Sequence, residues 1–156
     1  MLNFLEDPVA AAAWLLYGGQ VTLTSYGVGL GKPLMMQELE LLSEELKEKL
    51  PQHHLDFLHA CSLSHVEGSY CFVHAGIRPD VPLADQQADD LLWIREEFIH
   101  SRVNHEHIIV HGHTISDEVE FLSNRIGIDT GAYQSGLLTA LVLEGQEQRL
   151  LQTGRG

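Results

Sequence analysis

Basic residues are scarce in this sequence of 156 residues, which has nine lysines and arginines against 22 aspartates and glutamates. The formal net charge at pH 7 is therefore −13. Proteins that bind nucleic acid or anionic lipid depend on clustered positive charge. The composition therefore argues against nucleic acid and membrane surfaces as partners. A small anionic substrate stays compatible with it, because a bound cation can dominate the local field.

Long apolar runs and targeting segments are also missing. No apolar run approaches the roughly 18 residues that would indicate a membrane-spanning helix. The first residues, "MLNFLEDP", have no basic stretch ahead of their apolar side chains, as a secretory signal would have. A cytoplasmic location is therefore expected.

Cysteine is rare as well: the chain has two, Cys61 and Cys71, and no CxxC pair. A zinc site built from thiolates is therefore not expected. Both cysteines lie in mostly apolar stretches, so we interpret them as small core residues of a protein in a reducing compartment rather than as a disulfide.

The overall composition is that of one globular domain, which we predict to span residues 1–156. With 44% hydrophobic and 20% charged residues, the chain is long enough to bury a core of its own.

The front of the chain is predicted to be helical. "QVTLTSYGVG" fits either a strand or a short helix. Helices are expected from Asp7 and Pro8 to Gly18-Gly19, from about Pro33 to Leu50 with leucines at helical spacing, and after Pro51.

From residue 62 onward strands predominate, with one helical stretch, "DQQADDLLWIREEFIHSR", between them. "SLSHVEGSYCFVHAG" predicts a hairpin that turns at Glu67-Gly68, with a second strand from about Tyr70 to Ala75. "HIIVHGH" predicts another strand. "VEFLSNRIGIDTGA" predicts short strands that meet near Ser123-Asn124, and "GLLTALVLEGQEQRLLQT" a terminal hairpin that turns at Glu144-Gly145.

Two of the predicted strands end in histidine followed by small residues. "CFVHAG" ends with His74, and "IIVHGH" ends with His111 and His113. Glycine beside such a histidine lets the backbone turn away and leaves the imidazole accessible, and imidazole is the commonest metal ligand. A hydrogen-bonded structural histidine is the alternative at each position. Spacing alone does not choose between His111 and His113, because a period of two places both on one face.

Three further polar residues accompany these strands. Asp129 in "NRIGIDTGA" can bind backbone donors or orient a metal-bound histidine, and a simple turn-forming role is the alternative. Arg95 in "LLWIREEF" has the planar fork that matches phosphate oxygens, with an ion pair to Glu96 or another carboxylate as the alternative. Arg78 in "HAGIRPD" follows His74 closely and is a second place for a substrate-binding arginine.

Four stretches, "FVHAGIRPD", "DLLWIREEF", "VHGHT" and "IGIDTGAYQSGLLTALVLE", resemble in this order the calcineurin-like metallophosphoesterases. The similarity is greatest to bacterial serine/threonine protein phosphatases of the phosphoprotein phosphatase type and to the related diadenosine tetraphosphatases. It runs from about Leu5 to Leu150. The resemblance implies an α/β fold, the C-terminal portion of a two-sheet sandwich with flanking helices.

The resemblance also implies a two-metal phosphoesterase. Manganese is expected first, with iron or zinc as the alternatives. Two such ions clamp a phosphate and generate a hydroxide nucleophile at neutral pH. His74 and His113 resemble ligands of one of the two ions, whereas His111 falls at a position that does not bind metal in the family.

Further roles follow from the same resemblance. Arg95 matches an arginine that contacts phosphate, and Arg78 is a weaker candidate for that role. Asp129 and Tyr133 lie in the segment that lines the site. The expected substrate is a phosphoprotein or a small phosphoester. A diadenosine polyphosphate hydrolase is the rival enzyme, because it shares these motifs.

Three other motifs of the family, "GDxHG", "GDxxDRG" and "GNH[ED]", do not occur in the sequence. In the family they supply the remaining metal ligands, a phosphate-binding arginine and the general-acid histidine, so no catalytic acid is expected within this chain. The chain is expected to correspond to the second half of such an enzyme. Because catalytic metal sites typically keep three protein ligands, it is expected to bind metal weakly and to have little activity alone. An N-terminal half or a homo-oligomer could complete it, and a non-catalytic remnant or interaction module is the alternative.

Overall fold

The fold combines helices and strands in a mixed α/β arrangement, as the sequence predicts. The computed structural model describes residues 1–29 and 36–154. The chain divides into two units, Met1–Cys61 and Ser62–Gly156. That both units belong to one metallophosphoesterase domain stays a prediction.

The described part of the first unit is helical. It contains α1 (Leu2–Glu6), a 3-10 helix (Ala12–Tyr17), α2 (Gly19–Ser25), α3 (Met36–Lys49) and α4 (Gln52–Ala60). Asp7 caps the turn after α1, since its Oδ1 accepts a hydrogen bond from the Ala10 N–H at 2.9 Å, but the segment that follows forms turns and the 3-10 helix rather than one long α-helix. Of the two alternatives for "QVTLTSYGVG", the helix is observed. The predicted start of the next helix near Pro33 lies outside the described residues.

The core of the first unit follows the leucine spacing of α3. Leu39, Leu42 and Leu46 are buried, in one cluster with Phe4 and Leu23. Burying each such side chain stabilises the fold by about 1.5–3 kcal/mol. The predicted apolar face of α3 is therefore confirmed.

Every strand in the described residues lies in the second unit. These strands are β1 (Ser64–Glu67), β2 (Tyr70–Val73), β3 (Ile108–His111), β4 (Glu120–Phe121), β5 (Arg125–Gly127), β6 (Thr139–Glu144) and β7 (Glu147–Gln152). The first five form one sheet in the order β1-β2-β3-β5-β4, and β6 and β7 form an antiparallel pair. Because β3 runs parallel to both β2 and β5, the carboxyl ends of these three strands lie at one edge. The two predicted hairpins are confirmed, as are the short strands predicted to meet near Ser123-Asn124.

Short helices cover one face of the five-stranded sheet. They include a 3-10 helix (Leu83–Asp85), α5 (Ala88–Trp93) and α6 (Glu96–Ile99), and α7 (Ala132–Ser135) follows β5. The single helix predicted here breaks at Ile94 and Arg95, because Ile94 turns into the core with Leu91 and Phe98.

Cys71 lies in that same core, as predicted, whereas Cys61 is exposed, so the core prediction is wrong for Cys61. The second unit therefore has one buried thiol. Within residues 1–29 and 36–154, none of the helices has the length and apolar character needed to cross a membrane.

Candidate functional site

The imidazoles of His74 and His113 meet at the edge where the parallel strands end. His74 directly follows β2, and His113 lies just beyond β3. His74 Nε2 is 3.1 Å from His113 Nδ1, and the ring centroids are 4.9 Å apart. This distance is that of an N–H···N hydrogen bond, which requires the accepting nitrogen to be unprotonated.

Backbone hydrogen bonds tie together the segments that carry these histidines. The Gly112 N–H donates to the His74 carbonyl at 2.9 Å. The Ala75 N–H donates to the Leu91 carbonyl of α5 at 2.8 Å. The ends of β2 and β3 and the helix α5 are therefore fixed relative to one another.

His113 takes an uncommon backbone conformation, with φ of 64°. The sequence suggests that Gly112 lets the chain turn, but the left-handed residue is the histidine itself. Non-glycine residues in this region carry some strain and cluster at functional sites. The Thr114 N–H donates to the Gly112 carbonyl at 2.7 Å and closes the turn. The sequence pattern does not reveal this conformation.

His111 is a structural residue in this arrangement. It is 2% exposed, its Nδ1 lies 3.1 Å from the Gly112 carbonyl oxygen, and its Nε2 lies 3.3 Å from Arg125 Nη1. One neutral tautomer satisfies both contacts, with Nδ1–H donating and Nε2 accepting. Burial lowers the pKa of His111, and the charge of Arg125 lowers it further. This agrees with the non-ligand position that the family resemblance gives to His111.

Arg125 supports the strand ends from inside the fold, and sequence reasoning missed it. The side chain is almost fully buried, its Nη1 donates to Glu120 Oε2 at 2.9 Å, and its Nη2 donates to the Ile99 carbonyl at 3.2 Å. A buried charge is tolerated only when it is paired and hydrogen-bonded. In the sequence, the position of this arginine within the apolar run "NRIGI" could have indicated that its side chain is buried.

Asp129 makes the turn-forming contact that the sequence offers as its alternative role, and it faces the cavity beside the two histidines. Its Oδ1 accepts a hydrogen bond from the Gly131 N–H at 3.0 Å, which is a turn-forming contact. It also lines a cavity of about 330 Å³ together with His74 and His113. Tyr133, in α7, is 85% exposed, and its neighbour Ala132 lines the same cavity.

Arg95 and Arg78 differ in their surroundings, although both line a shallow depression of about 260 Å³. Arg95 is exposed, and its charge acts on His113. The sequence offers Glu96 as an ion-pair partner for Arg95, and Glu96 Oε2 lies 3.0 Å from His100 Nδ1.

The fork of Arg78 is held by carboxylates. Its Nε and Nη2 donate to the two oxygens of Asp90 at 2.9 and 2.6 Å, and its Nη1 donates to Glu97 Oε2 at 2.7 Å. The hydrogen bond and charge of Asp90 raise the pKa of Arg78. A phosphate would therefore have to compete with two carboxylates for Arg78.

The electrostatics of the site favour a neutral His113. Burial lowers the pKa of His113, the nearby Arg95 and His74 lower it further, and Asp129 opposes them. A neutral imidazole keeps a lone pair that can bind a metal ion. The His113 Nε2 is buried and has no hydrogen-bond partner among the described residues.

The two imidazoles fit a shared divalent cation. Zinc–nitrogen bonds of about 2.0–2.1 Å place two ligand nitrogens on one ion roughly 3 Å apart, and the observed separation is 3.1 Å. In residues 1–29 and 36–154, however, there is no group of three or more histidine, cysteine, aspartate or glutamate side chains that could hold an ion. The described residues therefore offer two nitrogen ligands and no complete site.

Comparison with known proteins adds no family assignment. No protein-family model matches the sequence. No curated protein matches it at a significant level. The resemblance to metallophosphoesterases therefore depends on the motifs quoted above.

Proposed function

We propose that this chain is part of a metal-dependent phosphoester hydrolase of the calcineurin-like type, acting on phosphomonoesters as a serine/threonine protein phosphatase. His74 and His113 would hold one of two divalent ions, manganese first and iron or zinc as alternatives. The observation that carries the proposal is the 3.1 Å separation of His74 Nε2 and His113 Nδ1 at the shared end of β2 and β3.

Each site residue has a task that fits its surroundings. His113 offers a lone pair because burial and Arg95 lower its pKa. Arg95 is exposed, its charge acts on His113, and its planar fork suits the oxygens of a phosphate. Asp129 braces the turn at Gly131 with one carboxylate oxygen. Divalent ions, when bound, would supply a Lewis acid for the phosphoryl oxygens and a nucleophile at neutral pH.

The chain alone is proposed to be incomplete. Two imidazoles are fewer than the three protein ligands that catalytic metal sites typically keep. The remaining ligands and the general acid would come from an N-terminal half or from a second copy. We therefore expect weak metal binding and little phosphate release from the chain by itself.

Metal content by mass spectrometry, measured together with p-nitrophenyl phosphate turnover in added manganese, tests the proposal. His74→Ala and His113→Ala should each lose the bound metal. The matched control is His65→Ala, because His65 is an exposed histidine on β1. If the wild type takes up metal in excess manganese and both site variants take up as much, the basis of the proposal is removed. Robust turnover by the purified chain, abolished by His113→Ala, would show that the site is complete.

One observation favours a second candidate, a non-catalytic interaction module of the same fold. In the described part of the chain, His74 and His113 are not joined by a third side chain in a group that could hold an ion, although Asp129 lines the same cavity. Co-expression with a family N-terminal half separates the two, because only a phosphatase gains phosphopeptide turnover. A large preference of that complex for diadenosine tetraphosphate over phosphopeptide would instead support the dinucleotide polyphosphate hydrolase.

A further inference from the structure

Trp93, the last residue of α5, contacts the candidate ligand His113. The two ring centroids are 5.7 Å apart, and the ring planes meet at 84° in an edge-to-face arrangement. Trp93 is nevertheless 57% exposed. A large apolar ring that stays this exposed is not there to fill the core.

The place of Trp93 is fixed by its neighbours in the chain. Leu91 and Ile94 are both buried in the core cluster under the sheet. The Leu91 carbonyl accepts the hydrogen bond from Ala75, the residue after His74. The same short helix therefore holds the tryptophan and is bonded to the segment that carries His74.

His113 needs such a support. Its left-handed backbone places the imidazole outside the regular pairing of β3. The His113 ring contacts the rings of His74 and Trp93, with centroid distances of 4.9 Å and 5.7 Å. Without the indole, the side of the His113 imidazole that Trp93 contacts would face water. The imidazole could then rotate away from His74.

We infer that Trp93 is a positioning residue, which holds the His113 imidazole against His74 so that the two nitrogens can share one ion. The inference rests on the proposed function, because it assigns a role within the same site. Groups that orient a metal-binding histidine usually do so by a hydrogen bond to its second nitrogen. Here an aromatic edge contact has that task.

The test uses Ni²⁺ as the probe, because imidazole ligands suit Ni²⁺ and bind it more tightly than Mn²⁺. Calorimetric titration of the full chain compares wild type with Trp93→Leu, Trp93→Ala and Trp93→Phe. Losing the support of a metal-binding histidine typically costs about 10–100-fold in affinity, which is the loss expected for Leu and Ala. Phe should restore most of the affinity, because it keeps an aromatic edge. Phe121→Ala, at an exposed aromatic residue on the edge strand β4 of the same unit, is the matched control and should change nothing.

A spectroscopic readout accompanies the titration. The chain has two tryptophans, so its NMR spectrum has two indole N–H signals. Paramagnetic Ni²⁺ on His113 should broaden the Trp93 signal, because the indole contacts that imidazole. Loss of the signal in Trp93→Phe assigns it.

The outcomes separate the inference from the proposed function. If His74→Ala and His113→Ala bind Ni²⁺ as wild type does, the histidine pair is not the site and both ideas fail. If both histidine variants lose affinity while Trp93→Leu binds as wild type does, the positioning role is overturned and the metal site stands. Should Trp93→Ala fail to fold, as judged by circular dichroism, the Leu and Phe variants decide in the same way.

Discussion

Gly76 lies so close to the ring of Phe98 that a side chain at position 76 would overlap it. A Cβ atom built on Gly76 would lie 2.3 Å from Phe98 Cδ1. Gly76 is the glycine of the "HAG" stretch, and Phe98 is the buried residue of α6. The chain that leaves His74 therefore runs directly over the core below the candidate site.

Gly76→Ala should destabilise the second unit by about 1–3 kcal/mol, the usual cost of forcing extra atoms into a packed core. Urea unfolding of both proteins measures the difference. Gly154→Ala is the control, because an added Cβ there meets nothing within 4 Å. Equal midpoints for Gly76→Ala and wild type would show that the loop can move away from Phe98.

Arg125→Met should cost about 1–3 kcal/mol, because His111 Nε2 and the Ile99 carbonyl would lose their buried donor. Glu120→Gln should cost less than about 1 kcal/mol, since Glu120 is partly exposed and water can solvate it. Thermal unfolding of the two variants compares them. A larger loss in Glu120→Gln would mean that the ion pair, rather than the satisfied acceptors, stabilises the strand ends.

Stability should fall as pH falls below about 6.5, the ordinary pKa of histidine in an unfolded chain. Burial lowers the pKa of His111 in the folded protein. The unfolded state therefore binds more protons in this window, and stability is retained above it and lost toward the lower folded-state pKa. Urea unfolding between pH 8 and pH 5 measures the slope. His111→Asn should reduce that slope, whereas His65→Asn, at an exposed position, should leave it close to wild type.

Asp129→Asn should keep the stability of the turn, because an amide oxygen can still accept the Gly131 hydrogen bond. It should also lower the pKa of His113, since the Asp129 carboxylate is the group that raises it. NMR titration of the histidine ring protons gives this pKa. Asp129→Ala separates the two effects, because it should lose about 1 kcal/mol of stability as well. A rise in the His113 pKa in either variant would contradict this account.

Local sequence patterns were sufficient to predict features that form within a single helix or turn. The leucines of α3 and the glycines of the hairpin turns act over a few residues, so their pattern predicted the buried helix face and the β1–β2 and β6–β7 hairpins. His74, His111 and His113 were singled out because they end predicted strands, and the family resemblance favoured His113 over His111. The meeting of His74 and His113 at 3.1 Å follows from parallel pairing, which a single sequence does not display.

Other features depend on packing between distant segments. The helix predicted across residues 85–102 breaks because Ile94 turns into the core, and the periodicity of the segment gives no warning of that. Arg125 is buried because Glu120 and the Ile99 carbonyl surround it, and neither partner is evident from the run in which the arginine lies. The left-handed conformation of His113 is likewise not indicated by the sequence around it.

The parallel pairing of β2 and β3 also governs when the candidate site can form. The two histidines are 39 positions apart in the chain, and no hairpin can bring parallel strands together. Contacts of this kind form slowly, because the loop between them must be closed before any pairing stabilises it. We therefore expect the histidine pair to assemble late in folding. A substitution in the segment between β2 and β3 that slows the closing of this loop would delay formation of the histidine pair during refolding. It would leave the pair unaltered in the native protein.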